Sequence, residues 1–98
     1  FEACQLNLSS FYQLSLKKSK FIDCSLQEVD FTETDLTSAR LHNCDLTGAT
    51  FDRTVLEKAD LRQSYNLSLD PESNRIRKAK FSMPAVLGLL DKYQLEIE

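Results

Sequence analysis

Glycine and proline are nearly missing from this 98-residue chain, with two of each: Gly48, Gly88, Pro71 and Pro84. Neither Asn-Gly nor Asp-Gly occurs, which argues against a hairpin-rich sandwich or barrel, whose tight turns need them. A glycine-rich phosphate loop is excluded for the same reason. Tryptophan is absent and histidine occurs once, as His42, at a position that points outward in the register derived below. No Ser-His-Asp spacing exists, and His and Cys do not converge as a metal site requires. The longest apolar stretch, Ala85–Leu90, is broken by Gly88 and is far too short for a membrane span or a signal-peptide core. Fifteen acids against twelve bases leave a net charge of −3, the wrong sign for a protein that works by neutralising phosphates. The expectation is a non-enzyme with no cofactor, no metal, no membrane contact and no direct nucleic-acid contact.

What is present is a period. Phe1, Leu6, Phe11, Leu16, Phe21, Leu26, Phe31, Leu36, Leu41, Leu46, Phe51, Leu56 and Leu61 stand five apart, thirteen Leu or Phe in succession, although Leu and Phe make up only 22 of the 98 residues. Two places before each centre sits a mostly small residue, such as Cys4, Ser9, Ser19, Cys24, Ala39, Cys44 or Ala59. On an α-helix, five residues advance about 140°, so this set would spiral over every face. On a flat strand an odd spacing alternates sides. A coil with four short sides and a corner every five residues puts all of them inside. One turn is then twenty residues, and residues twenty apart stack. The predicted columns are Phe11/Phe31/Phe51, Leu6/Leu26/Leu46, Leu16/Leu36/Leu56/Ile76 and Phe1/Phe21/Leu41/Leu61/Phe81.

The triplets Ala39-Arg40-Leu41, Cys44-Asp45-Leu46 and Ala59-Asp60-Leu61, with Val29-Asp30-Phe31 and Thr34-Asp35-Leu36 as variants, resemble the pentapeptide-repeat pattern over residues 1–65. The resemblance implies an all-β solenoid, a right-handed quadrilateral β-helix. The repeat module is expected over 1–81, about four coils, bulged at 66–75, where Asn66 and Pro71 fall on inner positions. Asn66–Leu69 reads as a strand with Leu67 and Leu69 on one side, and Asp70-Pro71 as a turn. Cys4, Cys24 and Cys44 form one interior ladder of small buried thiols. An odd cysteine count on a repeat scaffold favours a reducing, cytoplasmic compartment.

Charge is uneven along the chain. Residues 21–60 hold Asp23, Glu28, Asp30, Glu33, Asp35, Asp45, Asp52, Glu57 and Asp60 against Arg40, Arg53 and Lys58, a sum of −6. Two coils rise about 10 Å, over which a DNA duplex carries about six charges. This acidic band is the candidate binding surface. Two Asn-x-Ser sequons, at Asn7 and Asn66, read as accidental.

The carboxyl end, 82–98, is a different module. Ser82 suits an N-cap and Pro84 a first helical turn. A short helix follows, apolar around most of its circumference, and a strand-like tail alternates after it. One helix face caps the coil stack and the other needs a partner. The candidate dimer interface is Met83, Val86, Leu87, Leu89, Leu90, Tyr93, Leu95 and Ile97. The run Asp70-Pro71-Glu72-Ser73-Asn74-Arg75-Ile76-Arg77-Lys78-Ala79-Lys80-Phe81-Ser82, with Leu87-Gly88-Leu89-Leu90-Asp91-Lys92-Tyr93, resembles the carboxyl end of the Qnr quinolone-resistance family. That resemblance implies a homodimer joined through this end. It also implies binding to DNA gyrase and topoisomerase IV by mimicry of duplex DNA, with protection from quinolones; the alternative expectations are a generic repeat scaffold for another protein partner, or a dimerisation fragment without protective activity. Qnr proteins are longer and several carry projecting loops. This chain starts at Phe1, already an inner position, so it reads as a carboxyl-terminal portion of a longer rod.

Overall fold

A computed structural model of the chain describes residues 1–82. Strands β1 (Lys20–Ile22), β2 (Arg40–Asp45) and β3 (Asp60–Tyr65) form one parallel sheet in that order. Lys20 pairs with Arg40, and Arg40 with Asp60. Single bridges extend the same twenty-residue offset around the molecule: Gln5 to Ser25, Ser10 to Asp30, Ser15 to Asp35, then Ser25 to Asp45, Asp30 to Thr50 and Asp35 to Val55. Each coil thus offers pairing positions five residues apart, and the chain is an all-strand parallel coil with no helix among the described residues.

The core is the predicted set of columns. Phe21, Leu26, Phe31, Leu36, Leu56 and Leu61 are completely buried, and Leu41 and Leu46 nearly so. Phe11 stacks on Phe31 at 5.5 Å between ring centroids and Phe31 on Phe51 at 5.1 Å, both nearly parallel. Phe1 stacks on Phe21 at 4.9 Å. Such aromatic pairs add about 0.5–1.5 kcal/mol each beyond area burial. The first coil has a neighbour on one side only, and Phe1 and Leu14 are about half exposed there. Cys24 and Cys44 are buried and Cys4 partly so, all three as free thiols. The Cys44 thiol donates to the Phe21 carbonyl, and burial pushes its pKa up to about 11.

The corners are where backbone chemistry decides. Residues with positive φ recur every fifth place: Leu8, Gln13, Lys18, Asp23, Glu28, Glu33, Ser38, Asn43, Gly48, Arg53 and Lys58. At many corners the N–H three residues on bonds the carbonyl of the inner centre, as from Ser9 to Leu6, Thr34 to Phe31 and Ala39 to Leu36. A positive φ at the third place of such a four-residue turn marks type II geometry. The corners are built from ordinary residue types, as the scarcity of glycine demands, but those residues occupy the left-handed region. Gly48 is the single glycine among these positions, and a Cβ there would meet Glu28 Cγ at 3.0 Å.

The bulge departs from the sequence expectation in one respect. Residues 66–69 form no strand, although Leu67 and Leu69 are buried as the alternation requires. Asn66 takes φ 60° and swings its amide outward to Asp45 and Thr47, which shifts the inner position to Leu67. Asn74 is buried and restores the coil. Its amide oxygen accepts the Thr54 N–H, and its nitrogen donates to the Phe51 and Asp70 carbonyls. The frame resumes with Arg75 under Val55 and Lys80 under Asp60. The expected helix and tail lie outside the described residues.

Candidate partner-binding faces

Because the offset is twenty residues, each outward column collects residues from distant parts of the sequence. The column Ser10–Asp30–Thr50 is followed on the same side by Tyr12, Thr32 and Asp52 and a corner of Gln13, Glu33 and Arg53. This side is acidic. Asp30 accepts the Thr32 N–H, and bonds from Thr32 hold its carboxyl below the usual range. Arg53 lies 3.8 Å from both Glu33 and Asp52. Tyr12 is half exposed, and a hydrogen bond to Glu33 raises its hydroxyl pKa.

The next side is its opposite in charge. The column Ser15–Asp35–Val55–Arg75 is flanked by Lys17, Thr37, Glu57 and Arg77, with a corner of Lys18, Ser38, Lys58 and Lys78. Both acids are paired: Lys17 to Asp35 at 3.6 Å and Arg75 to Glu57 at 3.1 Å. Burial pushes the Asp35 carboxyl up, and hydrogen bonds from Thr37 together with Lys17 outweigh it, leaving the pKa lowered.

The nine carboxylates of the acidic band are therefore distributed rather than contiguous. Asp30, Glu33 and Asp52 share the acidic side. Asp35 and Glu57 sit among the cations. Asp60, held by Arg62 at 2.9 Å with a lowered pKa, stacks under Arg40, with Asp23 at the adjacent corner. Asp45 stacks under Ser25, with Glu28 at the next corner. Asp45 is the most strongly perturbed of them. Thr47 donates from its hydroxyl, and Gln27 and Asn66 add side-chain bonds, bringing the carboxyl pKa down to about 2. Of the sequence-derived site, the structure brings three members together, and it adds a basic side that residue-by-residue reading missed. The eight candidate dimer residues lie outside the described residues.

His42 stands at an outward position, half buried, with Nδ1 enclosed and unbonded. No group of three or more His, Cys, Asp or Glu is placed to hold a metal among the described residues. Among the same residues no helix is long and apolar enough to cross a membrane.

A coil with this period, inner Leu/Phe ladders and left-handed corners defines a solenoid repeat protein, which offers surfaces rather than a cleft. The family model described as "pentapeptide repeat region" matches residues 1–67, and the chain belongs to that family. No curated protein matches the sequence. Among solved structures, the chain is similar to that of trypsin-treated QnrB1, described as a plasmid-mediated fluoroquinolone resistance protein. The match has 17% identity, covers 97% of this chain and 68% of that one, and has a TM-score of 0.32.

Proposed function

We propose that this protein is a non-enzymatic, cytoplasmic scaffold, a right-handed quadrilateral β-helix that binds a type II topoisomerase in place of duplex DNA. The partners are DNA gyrase and topoisomerase IV, and the consequence is protection from quinolones. The observation that carries the reading is the acidic side. Asp30, Glu33 and Asp52 line one flank of a rod whose coils repeat at strand spacing, beside the exposed ring of Tyr12. A DNA-binding enzyme presents a cationic groove, and only one flank of a mimic need be acidic to enter it. An exposed aromatic among charges is the composition of a protein-binding surface. The likeness of residues 70–82 and 87–93 to the Qnr carboxyl end supports the choice of partner and a homodimer joined through residues 82–98.

A specific observation favours a second reading, a scaffold for another protein partner. Five of the nine carboxylates, Glu33, Asp35, Asp52, Glu57 and Asp60, are ion-paired within the chain. A gyrase supercoiling assay in ciprofloxacin separates the two. The topoisomerase reading expects activity to be rescued in a dose-dependent way. Absence of rescue together with absence of gyrase binding at low salt eliminates it.

A further inference from the structure

The basic side is a second surface, and it shares no residue with the acidic one. The bonds between the third and fourth coils set it. The Lys58 N–H donates to the Arg77 carbonyl at 3.1 Å and the Leu56 N–H to the Arg75 carbonyl at 2.7 Å, so Lys58, Arg75, Arg77 and Lys78 converge around one shallow cavity with Glu57. Arg75 is taken by Glu57. Lys58, Arg77 and Lys78 are exposed and pair with no acid among the described residues. Lys18 continues the same corner in the first coil, at the same left-handed position. Like charges stacked at coil spacing repel one another, and an anion relieves that repulsion.

We infer that the corner formed by Lys58, Arg77 and Lys78, extended by Lys18, is a docking surface for the phosphate backbone of duplex nucleic acid. Two features select this occupant over an acidic protein. Among the described residues, none of the exposed large hydrophobics (Phe1, Leu8, Tyr12, Leu14 and Tyr65) occupies an outward position on this side, so these residues supply no apolar anchor of the kind a protein interface needs. Backbone phosphate recognition needs only cations in a row. The corner also runs along the coil axis. Lys18 to Lys78 spans three coil steps, roughly 14 Å by strand spacing, the length of about four phosphates along one strand. The net charge of −3 conceals this surface because the acids lie mainly on the other sides.

The test is fluorescence anisotropy of a labelled duplex with the full chain, titrated with salt. Binding is expected at roughly 20–50 mM salt, with a slope of log K against log salt of about −3.6, set by the counterions that four cations release. Reversing Lys58→Glu, Arg77→Glu and Lys78→Glu together should weaken binding at least tenfold. The fold should survive, since Glu28 and Glu33 already occupy equivalent left-handed corners, and circular dichroism checks this. Neutralising Asp30→Asn and Asp52→Asn should leave duplex binding intact or tighter while weakening gyrase binding, so the two surfaces fail separately. No duplex binding at low salt, a slope near zero, an unaffected reversal variant, or binding of labelled poly-glutamate but not of duplex would each overturn the inference.

Discussion

At the scale of single residues, the corners govern what the sequence tolerates. None of the positive-φ residues from Ala3 to Lys78 is Val, Ile or Thr. β-Branched side chains clash most in the left-handed region. An L-residue there already gives up about 1–2 kcal/mol. Gln13→Val should therefore lower the thermal midpoint by several degrees, whereas Gln13→Gly should hold or raise it, because the Cβ strain it removes offsets the entropy of glycine. Differential scanning fluorimetry of the pair reads this directly. Asp45 sets a pH dependence. Its folded pKa of about 2 lies below the ordinary 3.8, so its contribution to stability is present above about pH 4 and is lost as pH falls through 2. Asp45→Asn should flatten the stability profile across that window in urea melts at stepped pH. An unchanged profile would mean that the bonds from Thr47, Gln27 and Asn66 do not persist in solution.

At the scale of the coil, a core residue matters according to how many neighbours stack on it. Leu36 lies between Leu16 and Leu56 and is fully buried, whereas Leu16 sits in the half-covered first coil. Leu36→Ala should cost about 2–5 kcal/mol and Leu16→Ala distinctly less, measured by denaturant unfolding. The period of five makes these columns legible in the sequence, because one inner residue per side is a strong constraint and Leu or Phe meets it each time. The αL corners were not legible. Asp, Glu, Lys, Ser and Asn fill them, and nothing in those side chains announces a positive φ. Only the avoidance of β-branched residues at one phase carries that signal. The bulge was half legible: the burial of Leu67 and Leu69 followed from alternation, but the pairing did not form, because Asn66 turned outward to Asp45.

At the scale of the whole molecule, linear sums of charge misplace the surfaces. The acidic band of residues 21–60 is real in sequence, yet folding by twenties deals its members onto every side. The same operation gathers Lys18, Lys58 and Lys78, which are far apart in the chain, onto one corner. The register needed to foresee this was already in the columns of Leu and Phe. Applied to the charged positions, it separates an acidic side from a basic one. A rod with adjacent sides of opposite sign has a salt-sensitive interaction on each, and each should be weakened by variants on its own side.

Engagement of a type II topoisomerase by the acidic side is tested by equilibrium binding to DNA gyrase at low salt. The unmodified chain should bind and be displaced by duplex DNA. Asp30→Asn, Glu33→Gln and Asp52→Asn together should weaken binding at least tenfold, while reversal of Lys58, Arg77 and Lys78 should leave it within about twofold. Failure of the unmodified chain to bind, or equal affinity after the three acids are neutralised, would contradict it.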